Sequence, residues 1–115
     1  MERTDYCIIF DNFYELAEQY DADLANDLLN AVGEGEWQNE EIRVYYDLEY
    51  FAEYELYEGF YAAEFGIYGE PDFNGAPNPF NYIDLQGLGD ALSESWDDSL
   101  YWTDGAEVIE TSYGW

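Results

Sequence analysis

The stretch NEEIRVYYDLEYFAEYELYE, residues 39–58, decides how the middle of the chain folds. Asn39 followed by Glu40 and Glu41 has the form of a helix N-cap with acidic residues in the first turn, where carboxylates suit the positive end of the helix dipole. Val44, Leu48, Phe51, Ala52 and Leu56 then keep helical spacing. Asp47 is itself a good capping residue, so the stretch predicts either one helix or two with a break at Asp47. It also poses a chemical question. Glu49, Glu53, Glu55, Glu58 and Glu64 stand among Tyr50, Phe51, Tyr54, Tyr57, Phe60, Tyr61 and Phe65, with no basic residue between them.

The same imbalance runs through the whole chain. Asp and Glu total 28, against Arg3 and Arg43, with no histidine, and the net charge is −26 over 115 residues. High net charge usually prevents collapse, yet 48% of the residues are hydrophobic and 21% aromatic. That is enough apolar surface for a folded single domain, residues 1–115, with a real but modest core. There is no apolar run of membrane-spanning length, and Met1-Glu2-Arg3-Thr4-Asp5 lacks the form of a signal peptide. A soluble cytoplasmic protein is the expectation, in the host cytoplasm if the gene is a phage's. Cys7 is the lone cysteine, within YCIIF, which reads as a buried strand thiol.

Outward from the central stretch, Tyr6–Phe10 reads as a strand, and Asp11 or Asn12 as the cap of an amphipathic helix. Phe13, Leu16, Ala17, Tyr20, Leu24, Leu28 and Ala31 form one stripe of that helix, with Gly33 as its stop. Asp11, Glu15 and Glu18 fall on the opposite face. Gly59 to Ile67 reads as extended chain. The prolines lie in a Pro/Gly loop at about residues 69–81, Asp84 to Leu92 as a short helix, and SLYWT-DG-AEVIETSY as a hairpin turning at Asp104-Gly105. The fold class is therefore α+β, with an N-terminal strand and amphipathic helix, one or two central helices and a C-terminal β-hairpin.

Function must come from this inventory. Without His or Lys, and with one Cys, no Ser-His or Cys-His dyad can be assembled, so an enzyme is not expected. Zinc sites usually use Cys or His sets that are missing here. DADLAND, from Asp21, starts like a calcium loop but puts Val32 where the bidentate glutamate belongs. No cofactor or metal is expected. Like charges one helical turn apart, as in Asp11/Glu15, Asp23/Asp27, Glu49/Glu53 and Asp90/Glu94, each cost roughly 0.2–0.5 kcal/mol. Ordinary proteins offset that with lysines. A surface of one sign repels nucleic acid and anionic membranes and attracts basic proteins.

Duplex DNA carries one charge per ~1.7 Å, so a charge of this size corresponds to roughly 44 Å of duplex, or about 13 base pairs. A compact domain of this length has a radius of gyration of ~13 Å; the lengths agree if the fold is elongated. Carboxylates one helical turn apart, ~5–6 Å, are spaced like neighbouring phosphates. The expected function is a DNA mimic that occupies the basic DNA-binding cleft of a host defence protein. Asp11, Glu15, Glu18, Glu40, Glu41, Asp47, Glu49 and Glu53 are the candidate partner-binding carboxylates. Tyr45, Tyr50, Tyr54 and Tyr57 could stack on the partner's arginines, with Tyr50 and Tyr54 foremost.

IRVYYDLEYFAEYELYEGFY, residues 42–61, resembles the aromatic–acidic stretch of ArdA-type antirestriction proteins, in which a tyrosine-rich turn precedes an Asp-x-Glu-x-aromatic-Ala helix. More broadly, the chain resembles small acidic phage and plasmid proteins that inhibit restriction enzymes, CRISPR effectors or DNA repair enzymes by imitating DNA. The resemblance implies that Asp47, Glu49 and Glu53 are phosphate surrogates. Other readings stay open: an immunity protein or antitoxin neutralising a basic toxin or nuclease, an inhibitor of a repair enzyme such as uracil-DNA glycosylase, or a salt-adapted protein. Homodimer formation is open too.

Overall fold

Alternate residues of the YCIIF segment face two different buried environments, and that sets the architecture. The computed structural model describes residues 1–65, 72–73 and 75–115. Strand β1 (Glu2–Arg3) pairs with β2 (Cys7–Phe10), which is followed by helices α1 (Phe13–Gln19) and α2 (Ala22–Val32), a 3₁₀ turn at Glu36–Asn39 and strand β3 (Ile42–Tyr45). Helices α3 (Leu48–Tyr57) and α4 (Phe60–Phe65) come next, then a small ladder of β4 (Asp72–Phe73) with β5 (Ala76–Pro77) and a 3₁₀ turn at Pro79–Tyr82. Helix α5 (Leu85–Ser95) leads into the hairpin of β6 (Tyr101–Thr103) and β7 (Val108–Thr111).

The main sheet has the order β1-β2-β3-β7-β6, with every neighbouring pair antiparallel. Ile8, Phe10, Ile42, Val44 and Ile109 point to one face, where Phe13 and Leu16 of α1, Leu24, Ala25 and Leu28 of α2, and Trp37 cover them. Cys7, Tyr45 and Val108 point to the other, under Phe51 of α3 and Leu92 of α5. The result is an α+β domain of three layers, with helices on both sides of the sheet. Burial pushes the Cys7 thiol's pKa up, as expected of an inert strand cysteine.

Residues 42–45 correct the helical reading of the central stretch. Ile42–Tyr45 lies between β2 and β7, with Val44 opposite Ile8 on one side and Ile109 on the other. Pairing along both edges and burial on both faces override the local helical spacing, as they do for β-branched residues in a central strand. Asn39 accordingly caps no helix; it ends the 3₁₀ turn, where the Glu40 N–H donates to the Trp37 carbonyl. The break at Asp47 is real. Its carboxylate accepts from the Tyr50 N–H at 2.8 Å and starts α3.

Other elements also depart from expectation. The stripe from Phe13 to Ala31 is split, because the Asp21 side chain accepts from the Asp23 and Leu24 N–H groups and begins a second helix; Ala31 is exposed. Gly33 does end α2, its N–H meeting the Leu29 carbonyl. Phe60–Phe65 is helical instead of extended, its first N–H held by the Glu55 carboxylate at 3.2 Å. Residues 66–67 of that expected extended segment, and 69–71 and 74 of the Pro/Gly loop, lie outside the described residues. The hairpin forms, but its turn spans residues 104–107, with the Asp104 carboxylate accepting from the Ala106 and Glu107 N–H groups. Among the described residues no helix is long and apolar enough to cross a membrane.

Candidate partner-binding surface

A carboxylate without a cation nearby can still be held by neutral donors, and this fold uses two kinds. Backbone N–H groups are the first. Asp21, Asp47 and Asp84 cap α2, α3 and α5, and Asp97 and Asp104 close turns. Tyrosine hydroxyls are the second. Tyr45 donates to Glu110 at 2.7 Å, Tyr101 donates to the other Glu110 oxygen at 3.2 Å, and Tyr20 donates to Glu107. Burial, followed by the neighbouring carboxylate, drives the Tyr45, Tyr20 and Tyr101 phenols far above their ordinary range.

These carboxylates have structural duties. Most of the others are simply exposed; among the described residues Glu15, Asp47, Glu53, Glu55, Glu107 and Glu110 are the half-buried ones. Two ion pairs form among the described residues. Arg43 Nε lies 3.3 Å from Glu41, and the Met1 amine lies 2.6 Å from Glu15.

The predicted site residues divide between the layers. Asp11 and Glu18 are exposed at α1. Glu15 does not share their solvated face. The β1–β2 pairing brings the chain start onto α1, and the amine's hydrogen bond holds the Glu15 carboxyl below its usual range. Glu49 is exposed and Glu53 half-buried on α3, on the opposite side of the sheet. Glu40 and Glu41 are exposed at the entrance to β3, with Glu41 engaged by Arg43. Asp47 and Glu49 also line a groove of about 470 Å³ with Tyr46, Gln86 and Asp90, between α3, α5 and the hairpin turn.

The tyrosines sort differently from expectation. Tyr50 is 40% exposed and packs edge-on against Tyr46. Tyr45 is fully buried, because β3 turns its ring under Phe51, so it cannot meet a partner. Tyr54 is half-buried, with Arg43 of this chain over its ring and donating to its hydroxyl at 3.3 Å. Tyr57 donates to the Phe80 carbonyl at 3.0 Å. Among the described residues, the exposed rings outside the candidate set are Tyr14, Phe60, Phe65, Tyr82 and Tyr113.

A cleft of about 230 Å³ lined by Glu41, Arg43, Tyr54, Glu110 and Ser112 joins these elements. It already contains a guanidinium set between carboxylates and rings. Its key acid, Glu110, was missed because pairing with Tyr101 and Arg43 across the sheet has no signature in local spacing. Comparison with known protein-family models, curated proteins and solved structures finds no match.

Two predictions arise from these carboxylates. Asp47 combines a cap with a candidate binding charge. Asp47→Ala should cost about 1 kcal/mol of stability, whereas Asp47→Asn should keep the cap and lose only the charge; urea melts of the two variants separate the roles. The second concerns pH. Burial raises the pKa values of Glu55 and Glu107, with the charges of Glu110 and Asp104 respectively adding to it. Their ionisation therefore disfavours the folded state, and the penalty disappears as pH falls through the raised values. Melting temperature should rise as pH falls from neutral towards the ordinary glutamate range, and Glu55→Gln should flatten part of that rise. Glu15 and Asp97, both held below the usual range, lose their contribution only in stronger acid. A melting temperature that falls steadily over the same interval would contradict this assignment.

Proposed function

We propose that this protein acts by binding, as a DNA mimic that fills the basic DNA-binding cleft of a host defence protein, a restriction–modification enzyme or a CRISPR effector, and so keeps DNA out. The observation that carries the reading is the match of charge to length. The molecule measures 51 × 27 × 21 Å. Duplex DNA of that long dimension spans about 15 base-pair steps and bears about 30 phosphate charges; this chain bears a net −26. Its radius of gyration, 15.4 Å, is that of a somewhat elongated domain.

Two further features favour the reading. The few cations present are already engaged or stand at the chain start, so the exposed carboxylates keep their charge for a partner. The caps and tyrosine–carboxylate bonds also fix the fold before binding, which lowers the ordering cost on association. Binding would then release counterions from the partner's groove, as DNA does, and weaken with salt. In this reading Asp47, Glu49 and Glu53 are phosphate surrogates, in line with the ArdA-type resemblance of residues 42–61.

The experiment is displacement of labelled duplex DNA at several salt concentrations from a type I restriction enzyme, Cas effector complexes, a uracil-DNA glycosylase and a basic control protein. Selective, salt-weakened displacement from a defence enzyme supports the proposal. Displacement from the glycosylase alone would move the target to DNA repair. No displacement by folded protein would sink it and favour a toxin-neutralising role.

A further inference from the structure

Among the described residues, four of the eight exposed large hydrophobic side chains lie in one region, while Met1, Tyr14, Tyr50 and Tyr113 lie elsewhere. Tyr82 is 77% exposed, Phe60 59%, Phe65 58% and Ile83 40%, all on α4 or in the Pro79–Tyr82 turn and the residue after it. Rings of α4 and of the turn touch one another. Phe60 meets Tyr61 at 5.4 Å between ring centroids, Tyr61 stacks on Phe65 at 6.3 Å, and Phe65 meets Phe80 of the turn at 5.6 Å. The Tyr57 hydroxyl, donating to the Phe80 carbonyl, ties the turn to α3. Contiguous apolar surface of this kind marks interaction sites, whereas single exposed rings do not.

Beside the patch lies a groove of about 450 Å³ walled by Tyr57, Ala62 and Ala63, with Glu58 on its lining. A groove of mixed polar and apolar lining with one carboxylate suits a side chain with a hydrocarbon stem and a cationic head, an arginine or a lysine. Glu64 within α4 and Asp84 after the turn are exposed as well. A second copy of this chain would set the same acidic residues against each other, within the ~10 Å over which charges still interact in about 0.1 M salt.

We infer that the α4 and Pro79–Tyr82 patch is an apolar docking surface for a basic protein partner, receiving apolar side chains on the rings and a basic side chain in the adjoining groove. The inference rests on the DNA-mimic reading only in taking the partner to be basic. It adds that affinity has a second component that salt does not screen. DNA offers a cleft no such aromatic surface, so the patch would let this protein hold a target at ionic strengths where DNA itself is released.

The test uses two synthetic peptides of equal length and arginine content, one with Leu and Trp between the arginines, the other with Ser and Gly. Binding to the full chain is measured by fluorescence anisotropy in about 0.05 M and about 0.5 M NaCl. The Leu/Trp peptide should bind about 10-fold tighter, and its advantage should persist at high salt because apolar contact is unscreened. Phe60→Ser with Phe65→Ser should erase the advantage and leave the Ser/Gly peptide unchanged. Should that pair fail to fold, Tyr82→Ser, at an exposed turn position, should reduce the advantage alone. Equal binding of both peptides to the wild type, or an advantage indifferent to these variants, would overturn the inference. So would a wild-type dimer in sedimentation that the variants dissociate, since a second copy would then be the occupant. Peptide discrimination without any DNA displacement would leave the patch standing and sink only the mimic reading.

Discussion

Replacing Glu49, Glu53, Asp90 and Glu94 together by their amides should weaken displacement of DNA from the target by about 100-fold at low salt, taking each exposed ion pair at up to ~1 kcal/mol. The four lie on α3 and α5, the helix layer that carries two of the three residues matched to phosphate surrogates. Each replacement alone should cost no more than about fivefold. The combined variant should also show a shallower fall of affinity with salt, because fewer counterions are released per binding event, and the difference from wild type should close near 0.5 M salt, where the Debye length is only a few ångströms. Folding is not at risk, since removing like charges one helical turn apart relieves repulsion. The control removes the same charge from the other layer with Asp11→Asn, Glu18→Gln, Asp23→Asn and Asp27→Asn. If both sets cost the same, the protein acts as a diffuse polyanion and not through a docked face. If Glu49→Gln alone removes most of the binding, a specific ion-pair lock replaces the charge array.

The layer assignment behind that experiment could not be read from spacing, and the reason lies in β3. Ile42 and Val44 face α1 and α2, while Tyr45 faces α3. Glu41-Ile42-Arg43-Val44 does alternate, but only over four residues before Tyr45 and Tyr46 end the pattern, and Val44 fits a helical register with Leu48 by coincidence. The signals that did hold were chemical and local: Asp47 as a cap, Gly33 as a stop, the aromatic and β-branched arms of the hairpin. Asp21, whose cap splits the stripe, reads in the sequence only as the start of a calcium loop that fails. At the candidate surface, sign and density of charge were legible because composition alone sets them. Which rings remain exposed was not. Tyr45 and Tyr82 are the same residue type in similarly aromatic settings, and only the sheet buries one and the turn exposes the other.

Gly89→Ala should lower stability by about 3 kcal/mol and the melting temperature by roughly 10 °C. Alanine normally gains about 1 kcal/mol over glycine inside a helix, so propensity alone predicts the opposite sign. The close approach of α5 to α3 reverses it. A Cβ at Gly89 would stand 2.6 Å from the Leu48 carbonyl oxygen and 3.0 Å from its carbon. Those are backbone atoms, one residue after the Asp47 cap, so they cannot swing aside; one helix must retreat from the other. Gly87, two residues earlier in α5, is the control. A Cβ there would also meet an atom at 2.6 Å, but that atom is the Asp84 carboxylate, which can rotate away. Gly87→Ala should therefore lie within about 1 kcal/mol of wild type, the propensity gain offsetting a disturbed cap. The retreat matters for function as well. Separating α3 from α5 would widen the groove shared by Asp47, Glu49 and Asp90, so Gly89→Ala should weaken DNA displacement at temperatures where the variant is still folded. A Gly89→Ala protein more stable than wild type would mean that the two helices do not pack backbone to backbone, and the α3–α5 face could no longer be taken as one rigid array.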